Sequence, residues 1–169
     1  GLSDIMAATG LQKGSLYKAF GSKHEMYVRA LAHYESLAVD GGVKMLTGAT
    51  PPQERLRDFL SAPIEAAYNS KDKRGCFLCN ASADFAALDP DTRRLVKRGY
   101  GKILKALKVP LAQLFPNASP EDVERKASLA LSFYSGQRIM ARASVSRSIL
   151  ESGRDAAIAQ VMGERFTPQ

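Results

Sequence analysis

Apolar residues recur every three or four positions along almost the whole chain, and the interruptions fall at proline and glycine. Runs of alternating β-branched residues, the mark of strands, are missing. The pattern predicts an all-α fold, with short helices over about 4–9 and 13–19 and a long one over 23–46. Further helices are predicted over about 52–70, 76–88, 90–115, 120–145 and 152–166. Several starts are punctuated. Ser22 and Glu25 have the spacing of a capping box. Pro52, Pro90 and Pro120 stand at first helical turns, where a missing N–H costs nothing. Pro63 lies inside a helical pattern and should bend it. The Pro51-Pro52 break divides the chain into residues 1–46 and residues 47–169.

With 45% hydrophobic residues in 169, the chain can bury a core and is no candidate for disorder. No apolar run reaches the ~18–20 residues that span a bilayer, and no signal-peptide pattern opens the sequence. Two cysteines, Cys76 and Cys79, are too few for a disulfide framework, so a reduced, cytoplasmic setting is expected. The net charge of +7 suits a polyanionic partner without proving one. Arg93, Arg94, Lys97, Arg98, Lys102, Lys105 and Lys108 crowd one predicted helix, and this face reads as solvated.

The segment richest in information runs from Gly1 to Tyr27. Ser3 can cap a short helix with Ile5 and Ala8 on its apolar side. Gly10 allows a tight or left-handed turn, after which Leu11 should drop into the core. A second short helix follows, with Leu16 and Phe20 four residues apart on its inner face. Lys13, Ser15, Tyr17 and Lys18 lie on its outer face, and Gly14 leaves the backbone bare for close approach. Two short helices about a glycine turn, the second polar and basic outside, make a helix-turn-helix.

The string from Ile5 through Gly10, Gly14, Leu16, Tyr17 and Phe20 to Lys23 resembles the DNA-binding signature of the TetR (tetracycline-repressor) family. Met6 and Thr9 stand where that signature has alanine, and Gln12 replaces its usual Ser or Thr. Members carry one more helix ahead of this motif, so residues before Gly1 are expected. The resemblance implies a homodimer whose recognition helices enter successive major grooves of double-stranded operator DNA, ~34–36 Å apart. Gln12, Lys13 and Ser15 become candidates for base edges. Tyr17 and Lys23 would hold phosphates, with Lys18 and the helix start at Ser3 assisting. Apart from the motif, Tyr17 would read as a half-buried core aromatic and the lysines as solvated surface.

The resemblance further implies a ligand-binding and dimerising C-terminal half. Phe59, Phe77, Tyr100, Leu104, Phe133, Gln137 and Met140 are the candidates for the wall of an effector pocket, an apolar lining with one orienting amide. The effector would be an apolar or aromatic small molecule. The helix over 120–145 is apolar on two faces, one with Leu129, Phe133, Gly136 and Met140, the other with Val123, Ala127, Ala130, Leu131 and Tyr134. With the helix over 152–166 it is the expected dimer interface. No metal site or cofactor is expected: Cys76-Phe77-Leu78-Cys79 lacks further ligands nearby, and its thiols read as small buried residues on a helix, with a thiol sensor as the lesser alternative. Glu65 and Asp84 read as solvent-facing, or as partners for a cationic ligand or for Arg138. The sequence offers no arrangement for nucleophilic or metal catalysis. The alternative to a regulator is a helical interaction module that no longer binds DNA.

Overall fold

A computed structural model describes residues 1–69 and 74–163. Among these residues the chain is all-α, with no strand. The helices are α1 (Leu2–Thr9), α2 (Lys13–Phe20), α3 (Lys23–Tyr34), α4 (Asp40–Thr47), α5 (Pro52–Asn69), α6 (Phe77–Asp84), α7 (Pro90–Leu114), α8 (Pro120–Arg142) and α9 (Arg147–Met162). The predicted 23–46 helix is interrupted: a π-helical turn, Glu35–Val39, joins α3 to α4. The expected final residues 164–166 of the last helix, and Ser70 of the 52–70 helix, lie outside the described residues.

The core forms where α4, α5, α7, α8 and α9 pack together. Leu56, Phe59 and Leu60 of α5 share one buried cluster with Leu107 and Leu111 of α7 and Ala127 and Ala130 of α8, and Ile64 of α5 is fully buried as well. The small alanines let α8 approach closely, and the Phe59 ring stacks on Tyr134 at 4.2 Å. Gly99 serves the same purpose between α6 and α7, since a Cβ there would fall 2.9 Å from Leu78 Cδ2. Both α5 and α7 run on through internal prolines, Pro63 and Pro110, each buried. Prolines also open α5, α7 and α8, with Asp89 and Ser119 side chains accepting first-turn N–H bonds from Thr92 and Asp122.

Several boundaries differ from the sequence pattern for identifiable reasons. Ser3 is not a cap; it lies in the first turn of α1, whose N-cap is Gly1. The Ser22 hydroxyl accepts from the Glu25 N–H, as expected of a cap. Helix α6 stops at Asp84, short of the expected 88, because two further tight turns reach Asp89; Phe85 is left 50% and Leu88 84% exposed. Helix α9 starts five residues before the expected 152, since Leu150 already begins its buried stripe and Gly153 does not break it. The basic face of α7 is less free than its sequence suggests. Arg98 and Lys102 are tied to Glu35, Lys108 to Glu124, and Arg93 donates to the Ala86 and Ala87 carbonyls.

Gly10 adopts φ +69° and closes α1 by donating to the Met6 carbonyl. A Cβ there would meet nothing within 4 Å, so the cost of a side chain is purely conformational. Gly10→Ala is expected to destabilise this end of the molecule by about 1–2 kcal/mol, read as faster amide exchange in α1 and α2. Unchanged exchange would mean that the turn does not need a left-handed residue.

Candidate DNA-reading head and effector cavity

Helices α1 and α2 meet at Gly10 as two separate rods. Leu16 of α2 is 1% exposed and anchors the pair against α3, with Met26 also buried and Phe20 half-buried. The opposite side of α2 is open: Gln12, Lys13, Gly14, Ser15 and Lys18 are exposed, as is Lys23 at the first turn of α3. Tyr17 is half-buried, with the Lys13 ammonium 5.8 Å from its ring centroid. Gln12 holds the N-cap position of α2 in extended conformation, but its amide makes no capping bond and stays available. Ser3 is exposed at the start of α1. One expectation fails here. Leu11 is 45% exposed and does not enter the core.

At the joint between this head and the rest, His24 Nε2 lies 3.7 Å from carboxylate oxygens of both Asp89 and Asp91. That contact ties the start of α3 to the start of α7 and was not legible in the sequence, where the residues are far apart.

A small cavity lies between the π turn, α6, α7 and α8. Its wall is built from Tyr34 at the end of α3, Ala38 and Val39 of the π turn, and Gly42 of α4. Cys76, Leu78 and Cys79 come from the start of α6, Tyr100 and Ile103 from α7, and Tyr134 and Arg138 from α8. The volume is about 40 Å³, room for about three waters. Of the seven residues named from sequence as a pocket wall, Tyr100 lines this cavity. Phe59 lies behind it, stacked on Tyr134, and Phe77 meets the edges of Tyr34 and Tyr27 at 5.7 and 5.5 Å. Leu104 and Phe133 are half-buried against the core. Gln137 is buried, its Nε2 donating to the Leu150 carbonyl to join α8 to α9, and Met140 is 40% exposed. Glu65 is exposed and 3.5 Å from Arg147, not Arg138.

The electrostatics of the cavity centre on Cys76, Cys79 and Arg138. Cys76 is the N-cap of α6 and not part of the helix body, with Cys79 three residues on. Hydrogen bonds from Cys79 and then from the Tyr34 hydroxyl, with the Arg138 charge nearby, hold the Cys76 thiol well below its ordinary range against the opposing effect of burial. Its partner Cys79 is pushed up by that hydrogen bond and by burial. Burial also raises Tyr34, and lifts Tyr100 to about 12. The Arg138 guanidinium donates to the Tyr134 hydroxyl at 3.1 and 2.7 Å and packs 5.0 Å from that ring. Among the described residues no carboxylate forms a salt bridge with it.

Comparison with known structures decides the architecture. The chain superimposes on a cysteine mutant of the TetR family transcriptional regulator CifR, complexed with 26-bp double-strand operator DNA, at TM-score 0.79. Identity there is 22%, over 94% of this chain and 84% of that one. The chain has the TetR-family fold. The reduced form of NemR from E. coli agrees equally well, with TM-score 0.79 and 22% identity over 99% of this chain and 87% of NemR. In sequence, the chain is 22% identical over 97 residues to an uncharacterised HTH-type transcriptional regulator, YezE of Bacillus subtilis (strain 168). That match spans 57% of this chain and about half the length of the relative, 50%. No family model matches the chain. In this fold α1 and α2 are two short rods about the Gly10 turn, and α3 with the π turn leads from them to the cavity.

Proposed function

We propose that the protein is a DNA-binding transcriptional regulator, a ligand-responsive repressor that holds a palindromic operator as a homodimer. The observation that carries this reading is the outer face of α2. Gln12, Lys13 and Ser15 stand clear of the protein while Leu16 fixes the helix from behind. An exposed helix start of this chemistry suits a major groove: Gln can bond adenine in two places, Lys can reach guanine, and Ser serves either. Lys18, Lys23 and the Tyr17 hydroxyl flank it as phosphate contacts, with the start of α1 at Ser3 assisting. CifR, of the same fold, is seen on operator DNA.

On this reading residues 1–46 form the reading head with its connector, and residues 47–169 the ligand-binding and dimerising half. Leu129, Gly136, Ile139 and Met140 make an exposed stripe on α8, and Ile149 continues it on α9. A second copy packing on this stripe would form a four-helix interface and place two heads for successive grooves. Paired charges at Leu129→Glu and Ile139→Glu are expected to yield monomers by light scattering while leaving the helical signal intact. The effector acts through its differential affinity for two states of the dimer. No described helix is long and apolar enough to cross a membrane, and a DNA partner places the protein in the cytoplasm.

The test is a gel shift with the full protein and its own upstream DNA. A retarded band that fades steeply as salt rises supports the regulator. No shift at low salt, with or without candidate effectors, favours a helical interaction module instead.

A further inference from the structure

We propose that the cavity behind the connector is a covalent sensing site, in which Cys76 attacks a small neutral hydroperoxide and Cys79 closes the product into a disulfide. The proposal rests on the regulator reading for its consequence, and on the cavity alone for its chemistry.

Three observations carry it. The first is placement. Cys76 at the N-cap and Cys79 at the third helical position share the spacing of a capping box, where the two side chains face each other. Both cysteines line the same cavity wall, so each sulfur is placed on the side from which the other can be reached. The second is activation. A thiolate is the nucleophile, and it is favoured at a helix start and beside a cation. Cys76 has both: the start of α6, and the Arg138 guanidinium, which forms no salt bridge with a carboxylate among the described residues. The third is size. At about 40 Å³ the cavity takes two or three water-sized occupants, which admits hydrogen peroxide and excludes a bulky aromatic effector. Ala38, exposed at the rim, gives the cavity its edge on solvent.

The chemistry balances without further reagents. The Cys76 thiolate attacks one peroxide oxygen, the O–O bond breaks, and hydroxide leaves to take up the proton that Cys76 had released. This leaves Cys76 as the sulfenic acid. The Cys79 sulfur then attacks the Cys76 sulfur, the S–S bond forms, and the sulfenic hydroxyl departs with the Cys79 proton as water. Two electrons pass from the dithiol to the peroxide, and an external dithiol restores the start.

The product differs from the reactant where the connector is held. Tyr34, last residue of α3, lines the cavity together with Cys76, and the π turn begins at the next residue. Once Cys76 is in a disulfide, its charge is gone. Tyr34 and Arg138 then no longer face a charge across the cavity, so the reading head is released from the cavity wall.

The full protein treated with hydrogen peroxide is expected to lose both thiols and two hydrogens in intact mass, about tenfold faster than free cysteine at neutral pH. Cys79→Ser should stop at a sulfenic acid trapped by dimedone, and Cys76→Ser should react no faster than a free thiol. Tyr34→Phe keeps the ring, so it serves where a cysteine variant fails to fold. It should move the reaction's pH profile upward. Cumene hydroperoxide, too large for the cavity, should react far more slowly. Equal reactivity of the two cysteines, no disulfide, or a rate no greater than that of free cysteine would overturn the proposal. These readouts need no DNA, so a failed gel shift would count against the regulator reading alone. A protein that binds its operator equally well reduced and as the disulfide would overturn the sensing role.

Discussion

Alanine at both Lys18 and Lys23 is expected to weaken binding to operator DNA about a hundredfold or more at physiological salt. Both lysines are exposed on the side of α2 and α3 that faces away from the core. A dimer loses four cations in this variant. Each phosphate contact contributes a slope of about 0.9 to the fall of log K with log salt, so the slope should shrink by about 3–4. The loss should be uniform across sequences, because phosphates carry no sequence information. Gln12→Ala and Ser15→Ala should behave differently. They are expected to leave the salt slope alone and relax the preference at one or two base pairs per half-site, at about 1–3 kcal/mol each. Binding isotherms over a salt series, on the operator and on single-base variants, separate the two outcomes. A slope unchanged by the double lysine variant would remove α2 and α3 from the phosphate backbone and with them the reading head.

The pair of short helices about Gly10 was legible because its signals are local. Gly10, Leu16 and Phe20 lie within one stretch, and a left-handed turn, an inward apolar pair and an outward basic face can each be read from spacing alone. What could not be read was the way distant elements meet. The cavity brings together residues from the connector, α6, α7 and α8, and its wall depends on which helix face turns to which neighbour. Apolar stripes mark a buried face but do not say whether it meets a void or another side chain, so Phe59 and Gln137 looked as eligible as Tyr100. The Cys76-x-x-Cys79 spacing was visible, but the helix start that activates Cys76 was placed at the cysteine itself and not one residue after it. The π turn left one trace. Leu31, Glu35 and Val39 share a stripe four residues apart, and all three are buried. A carboxylate between two core residues signals an ionic partner from elsewhere in the fold.

That partner is the basis of the second large effect. Glu35 is 1% exposed, yet it accepts a two-pronged contact from Arg98, at 3.1 and 3.0 Å from Nε, and lies 2.9 Å from the Lys102 ammonium. Lys102 also reaches Asp40 at 3.1 Å, so the two α7 cations grip the π turn at its start and just past its end. Arg98's hydrogen bonds, outweighing burial and aided by Lys102, hold the Glu35 carboxyl below the usual carboxylate range.

Removing both cations in Arg98→Ala with Lys102→Ala leaves a buried charge without compensation. It is expected to cost about 3 kcal/mol, the low end for a broken buried pair, because the side chains of Arg98 and Lys102 are 52% and 39% exposed and their attraction is partly screened. Glu35→Leu removes the charge itself and should cost far less. The pH dependence gives the sign. In the native protein the clamp's contribution is complete above the ordinary glutamate value of about 4.3 and is lost as pH falls through the lower folded value. In the double variant the uncompensated carboxylate favours protonation, so stability should recover on acidification. Urea unfolding of the three proteins at about pH 7 and about pH 4 reads both effects. A double variant as stable as the native protein at neutral pH would show that α7 does not hold the connector by charge. The π turn carries two cavity-wall residues, Ala38 and Val39, on the same short segment that the clamp fixes. Loosening the clamp should therefore free the connector from the cavity, and the double variant should bind its operator with little response to the state of Cys76.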